Sequence, residues 1–167
     1  MKLFRSDLEK HISNQLFEIS ADSMDLNDLQ IAGGKLTCTL SVEHAAGGYR
    51  IHGPLKGKVL EKCDRCLTKF EEELESLLDV ILTGNDELIN NDNVDVIHFA
   101  DTDEFIDLNP IIHDLVLLAE PFQRICNESC MGLCLNCGIN LNESTCSCNS
   151  TEDNSRWDAL KKFEKLK

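Results

Sequence analysis

Nine of the 167 residues are cysteine, and eight of them fall into a pattern that could do chemistry. "CDRC" supplies Cys63 and Cys66, and "CNESCMGLCLNCGINLNESTCSC" supplies Cys126, Cys130, Cys134, Cys137, Cys146 and Cys148. The ninth, Cys38, alternates with Leu36, Leu40 and Val42 in a strand-like run and reads as core. Six thiols within 23 residues, among Asn, Ser and Gly, are not placed like small buried hydrophobes. A C-x2-C turn offers two thiolates from one tight knuckle, and zinc is typically held by four. Gly138, just after the second cysteine of "CLNCG", allows the positive φ that such a knuckle often needs. The grouping expected is Cys134, Cys137, Cys146 and Cys148 as one local site, leaving Cys63 and Cys66 to join Cys126 and Cys130 across 59 intervening residues. Two structural Zn2+ sites follow from that arithmetic. A single C-terminal site, or redistributed ligands with two thiols left over, remain alternatives.

Other chemistries of the same letters fit less well. Cys130, Cys134 and Cys137 spell C-x3-C-x2-C, the spacing of radical S-adenosylmethionine enzymes, but only 30 residues follow Cys137. The C-x2-C pairs could be redox dithiols, which belong in a βαβ context that is not visible here. None of the five histidines is spaced with Asp, Ser or Cys as a nucleophile and base would be, and no phosphate-cradling glycine loop occurs. A non-enzyme is expected, with no catalytic residues. The opening residues show neither a secretory signal nor a transit peptide and no apolar run could span a bilayer, so no membrane partner and a cytoplasmic location are expected.

The net charge of −14 is unevenly spread. Residues 1–69 carry +1, residues 70–123 carry 15 acids and no Lys or Arg, and residues 124–167 balance to zero. Uniform phosphate binding is therefore disfavoured. A local basic strip, Lys56, Lys58, Lys62, Arg65 and Lys69, surrounds the first knuckle and is a candidate RNA contact; an ordinary solvated strand edge, charged to discourage edge pairing, is the favoured reading.

The elements that must position these groups are mostly strands. "KLTCTLSVEH" has strand alternation, Gly47-Gly48 suits a turn, and "YRIHGPLKGKVLEKC" reads as a strand interrupted at Gly53-Pro54. Residues 70–82 fit a strand or a helix, with strand preferred; residues 84–101 read as an acidic loop holding one brief strand. Short helices are expected over Asp7 to Phe17, from Asn109 with Pro110 in its first turn to a stop at Pro121, and over "DNSRWDALKKF" with Trp157, Leu160 and Phe163 on one side. For Asn109 the expected role is the cap, with Ile111, Ile112, Leu115 and Leu118 as the apolar face. The fold class is α+β: a mainly antiparallel sheet of about five strands with a few helices. Residues 1–122 would form the main domain and 123–167 a zinc module with a terminal helix.

"CDRCL", a helix ending "LLAEPF", "C-x3-C-x-GLC-x2-CG-x-NLN" and a late "SRW-x2-L" together resemble the YceD family, bacterial and plastid proteins linked to accumulation of large-subunit ribosomal RNA. The likeness runs from about Leu36 to Phe163. It implies a non-enzymatic factor in 23S rRNA processing or ribosome biogenesis, working with ribosomal RNA or a basic ribosomal or assembly protein, in the cytoplasm or a plastid stroma. A zinc-stabilised protein–protein adaptor without RNA contact, or a thiol oxidoreductase, are the alternatives. Where the family has an Asp-Pro-Arg-like turn this chain has "NSRW", so Arg156 and Trp157 carry over and the turn does not.

Overall fold

The computed structural model describes residues 1–27, 29–45, 47–85 and 95–148. The helix expected around Trp157, and the Arg156–Trp157 motif with it, lies outside them.

Strand β1 (Lys2–Phe4) is followed by one helical turn, α1 (Arg5–Leu8), then β2 (Gln15–Ser20), β3 (Gln30–Ile31), β4 (Lys35–Ala45), β5 (Gly48–Lys62), β6 (Lys69–Thr83), β7 (Asp95–His98), β8 (Phe105–Asp107) and helix α2 (Asn109–Leu118). The main sheet runs β2-β4-β5-β6-β7, with β3 pairing β5 beyond the start of β4; a separate ribbon joins β1 and β8. Every pairing is antiparallel except β6 with β7. This is the expected α+β fold, with one more strand in the main sheet and one parallel join.

Strand alternation builds the core. Leu36, Cys38, Leu40 and Val42 of β4, Ile51, Leu55 and Val59 of β5, and Leu74, Leu78, Val80 and Leu82 of β6 are buried and pack with Ile112 and Val116 of α2. Each such aliphatic side chain removed from water contributes about 1.5–3 kcal/mol. Burial pushes the Cys38 thiol up to about 11, so it stays protonated at neutral pH, as a core residue should.

Three local expectations fail. No helix spans Asp7 to Phe17: Asn14 takes a left-handed φ of 51°, and Gln15–Ser20 pairs along β4, with Phe17 opposite Cys38. That pairing removes an open edge from the apolar sheet, a tertiary gain that outweighs local helix propensity. Strand β5 is not interrupted at Gly53-Pro54 either. A Cβ at residue 53 would lie 1.8 Å from the Thr39 carbonyl oxygen, so glycine permits a close strand approach here rather than a break. Helix α2 begins where expected, but Leu108 is its cap residue, and Asn109 instead accepts a hydrogen bond from the Met1 amino group through Oδ1. Its inward face is Ile112 and Val116, while Leu118 is exposed.

Candidate metal centre

The β5–β6 hairpin is 15 residues long on each side, and its tip, Cys63 to Thr68, projects past the main core. The strands end in a knuckle: Cys63 N–H donates to the Thr68 carbonyl and Leu67 N–H to the Cys63 carbonyl, both at 2.9 Å. Leu67 closes the turn with φ 61°. The chain leaving α2 passes this tip and is clasped to it. Asp64 N–H donates to the Arg124 carbonyl at 2.8 Å, and Arg124 N–H to Asp64 Oδ2 at 2.9 Å. The Arg124 guanidinium bridges Glu61, only 4% exposed, and Glu120, with nitrogen–oxygen distances of 3.4 and 3.3 Å. A buried carboxylate left without a partner is costly, so Arg124 fixes where residues 124–130 lie.

The clasp brings Cys126 and Cys130 onto Cys63 and Cys66, and the four Sγ atoms lie within 4.8 Å of one another. Cys63 Sγ is 3.9 Å from Cys130 Sγ, and Cys66 Sγ is 3.6 Å from Cys126 Sγ. Cys63, Cys66 and Cys130 are buried and form a small cluster with Phe70 and Ile125, distinct from the main core.

A second group follows immediately. Cys134, Cys137, Cys146 and Cys148 also bring their sulfurs within 4.8 Å of one another, with Cys134 and Cys146 at 3.4 Å. Its knuckle repeats the first: Cys134 N–H donates to the Ile139 carbonyl, Gly138 N–H to the Cys134 carbonyl, and Gly138 has φ 72°. Cys137 and Cys148 are exposed and the other two half-buried.

The sulfurs are too far apart for disulfides, whose bond is about 2.05 Å, and all nine thiols are free. A tetrahedron of sulfurs about 2.3 Å from a central ion has edges of about 3.8 Å. Three of the pairs, Cys63–Cys130, Cys66–Cys126 and Cys134–Cys146, at 3.4 to 3.9 Å, suit that arrangement.

The electrostatics ask for a cation. At Cys63 burial opposes ionisation, but backbone N–H groups of Cys126, Cys66 and Arg65 outweigh it and bring the thiol down to about 6. The hydrogen bond to Thr68 lowers Cys66 as well. Their neighbour Cys126 goes the other way: its hydrogen bond to Cys66, burial, and the adjoining Cys63 and Cys130 push it up to about 12. In the second group the N–H groups of Cys137 and Asn136 bring Cys134 down to about 6, while the bond to Cys137 and burial hold Cys148 up at about 12. Each knuckle thus favours a thiolate, and each group resists collecting more of them without a positive ion between them.

All eight cysteines set aside as ligands are therefore brought together, in the grouping read from their spacing. The basic strip looks different in three dimensions. Lys56 Nζ is 2.6 Å from Glu75 and Lys58 Nζ is 3.7 Å from Glu71, so acids on the same sheet face offset them. The Arg65 guanidinium donates to the carbonyls of Glu128 and Cys130. Lys62 and Lys69 stand opposite each other at the neck of the hairpin. Sequence reasoning passed over the clasp of Glu61, Asp64 and Arg124, and also Thr68, Asn140 and Asn142, which bond around the first group. The only signal for the last two was their place in "NLN" straight after the second knuckle.

Among known proteins, residues 51–164 match the family described as large ribosomal RNA subunit accumulation protein YceD. The chain is 25% identical to the Arabidopsis thaliana large ribosomal RNA subunit accumulation protein YCED homolog 1, chloroplastic, over 91% of its own length and 54% of the relative's. It is 28% identical to the Zea mays protein of that name over 72% and 55%, and 31% identical to an uncharacterized protein of Mycobacterium tuberculosis over 65% and 53%. The chain spans about half the length of these relatives. No solved structure matches. Among the described residues no helix is long and apolar enough to cross a membrane. Since the matched segment holds nearly all of the long hairpin, α2 and all eight clustered cysteines, and more than half the sequence, the chain belongs to the YceD family.

Proposed function

We propose that this chain is a non-enzymatic accessory factor for accumulation of large-subunit (23S) ribosomal RNA, in the cytoplasm or a plastid stroma, and that its two cysteine groups each hold a structural zinc ion. The function rests on the family and on the names of the plant relatives. The metal reading rests on one observation, two sets of four thiols whose sulfurs lie within 4.8 Å of one another. Zinc is the ion such soft, all-thiolate, four-coordinate sites favour, and a closed set of four ligands leaves no position for a substrate. Zinc in both sites also leaves no reactive dithiol, which argues against an oxidoreductase.

RNA contact is best supported at Lys62 and Lys69. Like charges directly opposite on paired strands are destabilising unless an anion answers them, and a phosphate would do so. The acidic stretch of residues 70–123 would face a basic protein partner instead. The pairing of Lys56 and Lys58 with glutamates favours a second reading, an adaptor that binds protein alone. Crosslinking followed by RNA sequencing separates the two. Charge reversal at Lys62 and Lys69 should abolish crosslinks to large-subunit rRNA, and reversal at Lys56 and Lys58 should spare them. Wild-type protein that captures a basic protein and no RNA would establish the adaptor. Zinc content of protein purified without added metal should approach two ions per chain.

A further inference from the structure

The loop between the second and third ligands of the C-terminal group does more than connect them. Asn142 Nδ2 donates to Cys130 Sγ of the hairpin-tip group at 3.4 Å, and Asn142 Oδ1 accepts from Met131 N–H at 2.8 Å. Asn140 Nδ2 donates to Thr68 Oγ1, whose own partner is Cys66 Sγ at 3.3 Å. Leu141 N–H bonds the Gly132 carbonyl, and Leu133 N–H bonds the Arg65 carbonyl inside the first knuckle. Asn140 and Asn142 also bond each other, with Asn142 Nδ2 donating to Asn140 Oδ1 at 2.8 Å. Two of the four sulfurs at the hairpin tip are therefore held, directly or through Thr68, by side chains that the C-terminal group's loop puts in place.

From this the geometry points to coupled metal loading: an ion in the C-terminal group folds the loop that carries Asn140 and Asn142 onto the hairpin-tip group, and Asn142 is the residue that positions Cys130 there. The inference rests on the zinc reading above. The C-terminal group closes locally, with Cys134 and Cys146 only 12 residues apart, so it can form with little help from the rest of the chain. The amide N–H of Asn142 then both orients Cys130 and draws negative charge from a thiolate that shares its ion with three others. Outer hydrogen bonds of this kind typically change metal affinity by about 10–100-fold. Coupling between two binding equilibria is reciprocal, so the hairpin-tip ion also favours the C-terminal one.

The test uses the full zinc-loaded chain, titrated with a chelator of known affinity and followed by zinc release. Variant C146S/C148S empties the C-terminal group, and the ion left at the hairpin tip should be held about tenfold more weakly or worse. Asn142→Asp keeps both groups complete. Its carboxylate still accepts from Met131 N–H but offers Cys130 no donor, so a purely structural role for residue 142 would leave retention unchanged; the expected outcome is again a loss of about tenfold at the hairpin tip. Cobalt substitution supplies a second readout, a changed thiolate-to-metal band at the hairpin tip in Asn142→Asp. If C146S/C148S does not fold, Asn142→Asp decides alone. Hairpin-tip affinity within about twofold of wild type in Asn142→Asp would overturn the coupling and make the two centres independent. A wild-type chain that takes up no zinc would instead overturn the reading beneath it.

Discussion

The two cysteine groups share a knuckle but not a situation. Both use the same pair of turn hydrogen bonds and a left-handed residue directly after the second cysteine. The hairpin-tip group joins residues 67 apart, Cys63 and Cys130, and is mostly buried; the C-terminal group joins residues 12 apart and is half open to water. For a flexible chain, closing the longer loop would cost about 1.5 kcal/mol more. The intervening strands and α2 absorb that cost, because the folded sheet already delivers both ends. One centre therefore depends on the fold, and the other makes its own small fold.

The largest expected effect follows from this dependence. In small zinc peptides the ion supplies about 10–16 kcal/mol of apparent binding free energy. Removing both ions with a chelator should release the hairpin tip and residues 124–148 while the main sheet stays folded, since the two apolar clusters are separate. Hydrogen exchange reads this directly. Amides of Asp64, Leu67 and Leu133 should lose protection, and those of Val42 and Ile112 should keep it. Cys130→Ser should act like the chelator at the tip, whereas Cys137→Ser at saturating zinc should expose Gly138 and spare Asp64. Equal loss at Asp64 in both variants would erase the distinction between the centres.

What the sequence revealed of this arrangement divides along physical lines. The grouping of the cysteines was legible because counting and local spacing favour two fours. Strand β4 was legible because one face is buried and its side chains alternate; residues 70–82 fitted both periods, and it is their pairing along β5 that makes them strand β6. The helix expected over Asp7 to Phe17 was an error of a different kind: Leu16, Phe17 and Ile19 look amphipathic at either period, and only the open edge of β4 decides between them. Gly53-Pro54 reads as a break unless the neighbouring strand's position is known. That Glu71 and Glu75 fall beside Lys58 and Lys56 of the basic strip was likewise hidden, because it depends on the register between two strands. Asn142 reaches a sulfur 12 residues away through a loop whose path depends on both centres, so its role had no local signature.

Acid should separate the centres next. A thiol lowered on folding contributes stability above its ordinary pKa and loses it as pH falls through the folded value, here about 6 for Cys63 and Cys134. Cys126 and Cys148, held up at about 12, remain protonated at neutral pH until an ion displaces their protons. Zinc uptake at pH 7 should therefore release protons, measurable with a pH dye in weak buffer, and affinity should rise with pH. As pH falls, protons compete with zinc for the thiolates and the ions should leave. The exposed C-terminal group should empty at the higher pH, because water can solvate its freed thiols, while the buried group would have to open. Simultaneous loss at one pH would indicate that coupling through Asn142 exceeds this difference in exposure.

The smallest effect tests the knuckles themselves. Leu67 has φ 61° where its counterpart Gly138 has φ 72°, a conformation that costs a side-chain-bearing residue about 1–2 kcal/mol. Leu67 is half exposed, so its side chain recovers only part of that. Leu67→Gly should stabilise the zinc-loaded chain by about 1 kcal/mol at most, because glycine's freedom in the unfolded chain offsets some of the relief. A Cβ at Gly138 would touch nothing within 4 Å, so Gly138→Ala should cost about 1 kcal/mol from backbone conformation alone. Denaturant midpoints of zinc-loaded protein give both values. A loss of stability in Leu67→Gly would mean that its side chain contributes more by burial than its backbone costs, and the two knuckles would then differ in packing as well as in backbone.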